Sequence, residues 1–156
     1  MALGLIPLCA AWFTQYVLAY PPCHLCMLQR YPYAVIAALG FVAMFYSWLQ
    51  ENPGLLWNLA ALCLLITGVI ACYHVGIEQG WIIEKGGCSS PDIGAAGSLD
   101  ALRARLMQAP LVACNAVSLR IFGLSMAAYN VALGLIGAII CVKMGRIMAQ
   151  RMGGQT

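Results

Sequence analysis

The chain of 156 residues has the length of a single domain. Apolar residues make up 63% of it and charged residues only 8%, and the mean hydropathy of +0.85 excludes an ordinary soluble globular protein. The net charge of +3 comes without a basic block, which argues against nucleic acid as a partner.

Charged residues are absent from four intervals, 1–29, 31–50, 52–77 and 121–142. Each interval holds the roughly 20 residues that a helix needs to cross a bilayer. A backbone in lipid must satisfy its own hydrogen bonds, so these spans should be helices. The sequence predicts an all-α integral membrane four-helix bundle, one domain over 1–156, and the first span is expected to be retained rather than cleaved. We place the spans at Leu3–Tyr20, Pro32–Leu49, Leu55–Val75 and Leu124–Val142.

The connection between the third and fourth spans, about 76–123, is much the longest. Because four helices alternate in direction, this loop should emerge on the same side as the short connection between the first two spans. Within it, Ser98–Met107 reads as a short amphipathic helix that ends before Pro110. This helix is expected to lie on the membrane surface or to pack on protein.

Basic residues occur on both sides of the predicted bundle in similar numbers, so they indicate its orientation in the membrane only weakly. The tail after the fourth span carries Lys143, Arg146 and Arg151 without an acid, which favours a cytoplasmic C-terminus. The long loop carries four basic residues of its own, Lys85, Arg103, Arg105 and Arg120. The pattern leans slightly towards both chain ends lying inside.

The first connection contains the most informative stretch, Cys23-His-Leu-Cys26-Met-Leu-Gln-Arg30. Two cysteines at this spacing close a small disulfide ring or bind a soft metal. If a helix begins just after Pro22, Cys26 and Arg30 lie one turn apart on one face. A thiolate at Cys26 is then stabilised by the helix N-terminus and by the guanidinium.

The other cysteines fall into two groups. Cys9, Cys63, Cys72 and Cys141 lie inside spans and are expected to be small buried hydrophobes. Cys88 and Cys114 lie in the long loop, where they form either a structural staple or a second redox pair. Cys23, His24 and Cys26, completed by the loop cysteines, would also suit zinc or copper. The second histidine, His74, stands alone at a span end, so we expect no metal.

Arg30 and His74 are polar residues at membrane depth on the cysteine side. An arginine near a span end can simply extend to the lipid headgroups, and His74 can be a satisfied core residue. Both can instead line one pocket beside Cys26. A cation and an imidazole next to an apolar crevice suit a quinone, whose carbonyl oxygens accept hydrogen bonds.

The chain resembles the disulfide bond formation protein B (DsbB) family of bacterial inner-membrane thiol–quinone oxidoreductases. The residues that carry the resemblance cover nearly the whole chain in order: Cys23–Arg30, Tyr73–Glu78, Gly87-Cys88, Ala109–Cys114 and Phe122–Asn130. The sequence after Cys114 reads Asn-Ala-Val, which departs from an acidic and aromatic pattern in relatives.

The resemblance implies four catalytic cysteines facing the periplasm. A reduced DsbA-like partner of thioredoxin fold attacks Cys88 of a Cys88–Cys114 disulfide, and the released Cys114 attacks Cys23. Cys26 is left as a thiolate against ubiquinone or menaquinone, which takes two electrons. Arg30, His74 and Met126 are the expected quinone-binding residues, and lipid surrounds the bundle.

Two other functions are weighed on sequence features. An epoxide-reductase-like (VKOR-type) thiol oxidoreductase has its Cys-x-x-Cys after the loop pair, whereas here it comes first. A small coupled transporter should carry an acid inside a span. All five acids, Glu51, Glu78, Glu84, Asp92 and Asp100, lie outside the predicted spans.

Overall fold

A computed structural model describes residues 1–46, 49, 51–82, 98–100, 103, 114 and 119–153. Five helices and one short hairpin are defined in these ranges: α1 (Ala2–Tyr16), α2 (His24–Leu28), α3 (Arg30–Val42), α4 (Pro53–Glu78), β1 (Arg120–Ile121), β2 (Leu124–Ser125) and α5 (Met126–Gly153). The prediction of an all-α membrane bundle is confirmed. Cys88 and most of the amphipathic helix predicted over 98–107 lie outside the described residues.

Within the described ranges, three helical stretches are long and apolar enough to cross a membrane: His24–Val42, Pro53–Glu78 and Met126–Arg151. The helix α1 is apolar but has only 15 residues, so it covers about 22 Å of a hydrocarbon core that is about 30 Å thick. It ends before the predicted Tyr20 because Ala19 has a positive φ of 56° and two prolines follow.

The helices α4 and α5 form the most extensive helix pair of the bundle, and they run antiparallel. Gly68 and Gly134 face each other where the two backbones approach. A Cβ on Gly134 would lie 2.7 Å from Gly68 Cα and 2.8 Å from the Leu64 carbonyl oxygen. Small residues at this crossing therefore permit close backbone packing, as in many membrane helix pairs.

The helices α1 and α3 pack in the same antiparallel manner. A Cβ on Gly4 would lie 2.5 Å from the carbonyl oxygen of Tyr33 on α3, and Gly40 lies against Met1. Together the two pairs bury one apolar cluster in the middle of the bundle: Leu8, Tyr33, Ile36, Ala61, Leu64, Ala138 and Cys141. The outward faces carry many exposed large apolar side chains, as expected of helices that face lipid.

A two-residue turn at Phe122-Gly123 joins β1 and β2 and sets the beginning of α5. Both turn residues have positive φ, 49° and 81°, as the tight hairpin turn requires. Ser125 Oγ then accepts a hydrogen bond from Ala128 N at 3.2 Å and caps the first turn of α5. The hairpin thereby fixes Met126 and Asn130 at the end of the bundle where α3 begins and α4 ends.

Candidate redox site

The Cys-x-x-Cys stretch forms a short helix that begins where the sequence predicts. Pro21 and Pro22 keep the preceding chain extended, and α2 begins at His24. Cys23 is its N-cap, and its sulfur accepts a hydrogen bond from the backbone N–H of Cys26 at 3.2 Å. This N-cap hydrogen bond brings the side chains of Cys23 and Cys26 together.

Cys23 and Cys26 are unbonded thiols whose sulfur atoms lie 2.7 Å apart. An S–S bond measures about 2.05 Å, so a small shift suffices to close the ring. Cys23 donates its S–H to Cys26 Sγ, and this hydrogen bond, followed by burial, raises the pKa of Cys23 to about 12. In the reduced pair, Cys23 therefore holds the shared proton.

His74 reaches this pair from α4. Its Nε2 lies 3.6 Å from Cys23 Sγ and 3.5 Å from Glu78 Oε1, which is one turn further along the helix. The end of α4 holds these groups in place, because Gly80 adopts a positive φ of 73° and the chain turns back with Trp81 N bonded to the Gly76 carbonyl. His74 is 3% exposed.

Cys114 joins the same group from the long loop. It is 1% exposed and packs in one buried cluster with Cys23, Leu25 and Ile77. Its backbone is hydrogen bonded to His74. The structure thus brings three of the four predicted catalytic cysteines together, and Cys88 lies outside the described residues.

A chain of side-chain hydrogen bonds leads from His74 into the bundle. Gln29 Nε2 lies 3.2 Å from His74 Nδ1, and Asn130 Nδ2 donates to Gln29 Oε1 at 2.6 Å. Tyr33 Oη donates in turn to Asn130 Oδ1 at 3.3 Å. This chain joins three helices, α3, α4 and α5, and the turn at Gln29.

Arg30 lies on the other side of the cavity, against α1. Its guanidinium donates to Gln15 Oε1 at 2.6 Å and to the Ala11 carbonyl at 3.4 Å. The side chain is half-buried. These bonds hold the cation at the cavity wall.

A cavity of about 190 Å³ opens between α1 and the beginnings of α3 and α5. Its lining includes every described residue predicted for quinone binding and both cysteines of the motif: Cys23, Cys26, Arg30, His74 and Met126. The structure therefore gathers these residues around one space, and their individual roles stay predictions.

Comparison with known proteins agrees with this arrangement. The sequence model of one protein family, described as disulfide bond formation protein DsbB, matches residues 1–144 of the chain. The chain belongs to the DsbB family. It is therefore a membrane thiol oxidoreductase of disulfide bond formation, as the resemblance implies.

One relative of this DsbB-family chain is named Uncharacterized protein RP370, from Rickettsia prowazekii (strain Madrid E). It is 25% identical over 136 residues, which are 86% of this chain and 77% of the relative. No solved structure matches the chain.

The sequence prediction that all acids lie outside the spans is wrong for Glu78. The helix α4 continues to Glu78, and its side chain is buried against His74 with 7% exposure. A predicted boundary at Val75 misses the last turn because the polar residues there face the bundle interior. The presence of this acid removes the sequence argument against coupled transport, and the DsbB match decides between the two functions instead.

Cys23, Cys26 and His74 also bring three potential metal ligands together, with their ligand atoms within 4.8 Å of one another. Two thiolates and an imidazole are typical ligands of zinc and other soft ions. Such an ion would need the reduced pair. The sequence predicts no metal because His74 is far from the cysteine motif along the chain. The fold places His74 beside Cys23. The expectation of no metal stays a prediction.

Four polar residues of the site have no role in the sequence-based prediction: Gln29, Asn130, Gln15 and Tyr33. Gln29 and Asn130 lie inside the stretches that carry the resemblance, but no role was assigned to them. The available signal was a primary amide next to, or within, an apolar span, since a buried amide needs partners.

Proposed function

We propose that this DsbB-family protein is an inner-membrane thiol–quinone oxidoreductase that reoxidises a periplasmic DsbA-like dithiol of thioredoxin fold. The observation that carries the proposal is that Cys114 and Cys23 belong to one buried cluster while Cys23 and Cys26 line the cavity beside Arg30 and His74. A disulfide exchange needs sulfur atoms within reach of one another, and a shared buried cluster supports such an exchange.

The electrons enter through the loop pair. A thiolate of the partner attacks Cys88 of the Cys88–Cys114 disulfide, which forms a mixed disulfide and releases the Cys114 thiolate. Cys114 attacks Cys23, so that a Cys23–Cys114 bond forms, the Cys23–Cys26 bond breaks and Cys26 leaves as a thiolate. Each step exchanges one S–S bond for another and leaves one thiolate.

The second half restores both disulfides. The partner's second thiolate attacks its own sulfur in the mixed disulfide, so the partner leaves oxidised and the Cys88 thiolate is released. Cys88 attacks Cys114, re-forming the loop disulfide and releasing Cys23. The Cys23 and Cys26 thiolates then form their disulfide. A bound quinone would take the two electrons, together with two protons from the medium that balance those lost by the two thiols of the partner.

The cavity suits such an acceptor. Its wall combines apolar residues, Met126 and Leu133 among them, with the half-buried Arg30 guanidinium. A bound quinone would supply a two-electron acceptor. Arg30 would donate a hydrogen bond to its carbonyl oxygen and balance the charge of the reduced ring. Ubiquinone and menaquinone both meet this description.

The tail of the chain and the chemistry of the site support one orientation. Lys143 and Arg146 lie on α5 at the end of the bundle opposite the cavity, and both are exposed. The slight lean of the basic residues favours a cytoplasmic location for that end. The cavity and the active cysteines then face the periplasm, where disulfides persist.

A turnover assay tests the proposal. The purified protein receives a reduced thioredoxin-fold dithiol oxidase and a quinone, and quinone reduction is followed by absorbance. We expect turnover to stop in Cys88→Ala and in Cys26→Ala, but only Cys26→Ala should still form a mixed disulfide with the partner. Cys72→Ala, an exposed cysteine of α4, is the matched control. Turnover at the normal rate in Cys88→Ala would contradict the relay.

A further inference from the structure

The hydrogen bonds from Tyr33 to Cys23 form one continuous chain. Tyr33 Oη contacts Asn130 Oδ1 at 3.3 Å, Asn130 Nδ2 contacts Gln29 Oε1 at 2.6 Å, and Gln29 Nε2 contacts His74 Nδ1 at 3.2 Å. His74 Nε2 completes the chain at 3.6 Å from Cys23 Sγ. The amide of Gln29 and the imidazole of His74 are 2% and 3% exposed.

The chain has a direction. Tyr33 donates to the Asn130 oxygen, so the Asn130 amide nitrogen donates to the Gln29 oxygen, and the Gln29 amide nitrogen donates to His74 Nδ1. An amide NH₂ has no lone pair to offer, so Nδ1 must be the acceptor in this contact. A neutral imidazole with an accepting Nδ1 carries its proton on Nε2.

The opposite side of the ring leads to the same tautomer independently. Nε2 faces two acceptors, Cys23 Sγ at 3.6 Å and Glu78 Oε1 at 3.5 Å. In the other neutral tautomer, Nε2 carries a lone pair instead of a proton. That lone pair would face the Cys23 sulfur and the Glu78 carboxylate with no hydrogen from the ring between them. Cys23 Sγ accepts from the Cys26 backbone N–H in either case, but the Nε2 lone pair and the Glu78 carboxylate would face each other without a proton, which is costly in a buried site.

We propose that Gln29, Asn130 and Tyr33 are positioning residues that hold His74 as the neutral Nε2–H tautomer with this N–H directed at Cys23 Sγ. The role of this N–H donor in turnover rests on the proposed function. In the proposed relay, Cys23 is the sulfur released when Cys88 attacks Cys114. An N–H donor at 3.6 Å stabilises that sulfur as a thiolate at the moment it must bond to Cys26.

The balance of forces on Cys23 explains why a separate donor is useful. In the reduced pair, the hydrogen bond to Cys26 raises the pKa of Cys23, whereas the contact with His74 lowers it. Once the electrons of Cys26 are engaged by an acceptor, the Cys26 sulfur no longer attracts the Cys23 proton. Two donors in the described part of the chain then contact Cys23 Sγ, the backbone N–H of Cys26 and the His74 imidazole, and His74 is the side chain among them.

The tautomer can be measured directly. The chain has two histidines, so ¹⁵N-histidine labelling of a His24→Gln protein reports on His74 alone. In reduced, quinone-free protein at mildly alkaline pH, the ¹⁵N shifts and couplings should show a proton on Nε2 and none on Nδ1. A proton on Nδ1, in the neutral ring or the imidazolium, would overturn the inference.

Variants of Gln29 sharpen the test. In Gln29→Glu the carboxylate can only accept, so we expect His74 to gain a proton on Nδ1, and in Gln29→Met the Nδ1 signal should move because its donor is gone. Gln79→Glu makes the same change at the exposed C-cap of α4 and should leave the His74 spectrum unchanged. An unchanged spectrum in Gln29→Glu would also overturn the inference.

Turnover provides a second readout that uses milder changes. Tyr33→Phe removes one hydroxyl, and Asn130→Leu replaces an amide by an apolar group of similar size. We expect quinone reduction to fall most in Gln29→Met, by roughly 5- to 100-fold, and least in Tyr33→Phe, the link furthest from His74. Equal rates in all three variants would contradict a positioning role.

The two proposals fail in different ways. Wild-type protein that shows the Nε2–H tautomer but reduces no quinone would contradict the proposed function and leave the histidine assignment standing. Normal turnover with a proton on Nδ1 would contradict the assignment alone. Thermal unfolding of each variant in detergent checks that the fold is retained.

Discussion

Two cysteines of this protein are equally buried and sit in opposite environments. Cys114 and Cys141 are each 1% exposed. Cys141 packs among apolar side chains in the middle of the bundle, in a cluster with Leu64 and Ala138. Cys114 belongs to the buried cluster that contains Cys23 and is hydrogen bonded through its backbone to His74.

The comparison shows that burial alone does not decide what a cysteine does. A thiol in an apolar core acts as a small hydrophobe, and burial without a polar partner disfavours its thiolate. A thiol packed against a second pair and an imidazole has both an exchange partner and a stabiliser for negative charge. The redox site and the apolar core are therefore distinguished by neighbours, not by depth.

The largest expected effect separates these two cysteines directly. Cys114→Ala should reduce quinone reduction by the partner to the background rate, because the relay loses the sulfur that attacks Cys23. Cys141→Ala should keep turnover and lose only some stability through a small cavity. Loss of turnover in a folded Cys141→Ala protein would remove the distinction between the two sites.

A second prediction concerns the packing of the apolar core. Gly134→Ala should lower the unfolding midpoint in detergent, because its new methyl group meets the backbone of Gly68 and Leu64 at under 3 Å; overpacking of this kind costs about 1–3 kcal/mol. Gly54→Ala is the control, since its nearest contact would lie at an ordinary 3.5 Å. Equal midpoints for the two variants would contradict the close crossing.

A third prediction tests the cavity wall. Arg30→Gln removes the charge but keeps hydrogen-bonding groups, and we expect the quinone concentration for half-maximal turnover to rise roughly ten-fold or more, the usual effect of losing a charged hydrogen bond. Arg146→Gln changes an exposed arginine near the other end of α5 and should have no effect. An equal rise of this quinone concentration in both variants would contradict a contact between Arg30 and the quinone and would favour the alternative, in which Arg30 extends to the lipid headgroups.

The smallest expected effect concerns the rates at which Cys26 and Cys23 are alkylated and how these rates depend on pH. In the reduced protein, brief alkylation at neutral pH should modify Cys26 before Cys23, because Cys23 is more buried and its pKa of about 12 keeps it protonated. Its modification should accelerate as the pH rises towards that value. Mass spectrometry of the peptides measures the order, and preferential labelling of Cys23 at neutral pH would contradict it.

Much of this arrangement could be predicted from the sequence. The absence of charges locates the helical regions, since lipid tolerates few charged groups, and the Cys23–Arg30 motif locates the centre of the site. The early end of α1 required knowing that Ala19 adopts a positive φ. Local patterns do not fix such a backbone conformation.

The contacts among polar residues could not be predicted in the same way. Gln29 and Asn130 are 101 residues apart, and their 2.6 Å hydrogen bond depends on how α5 is placed by the Phe122-Gly123 hairpin. The sequence shows no neighbour for His74 because its partner Cys23 is 51 residues away. Pairings of this range are set by helix packing rather than by spacing.

The central claim is that an electron acceptor of the quinone class binds beside Cys26 in the cavity that Arg30 and His74 line. The most direct measurement is the visible spectrum of purified Cys23→Ser protein loaded with a quinone, in which Cys26 cannot close its own disulfide. We predict a new absorption band from the Cys26 thiolate next to the electron-poor ring; it should fade on acidification and weaken in Arg30→Gln. A Cys23→Ser protein with bound quinone that stays colourless at neutral and alkaline pH would contradict the account.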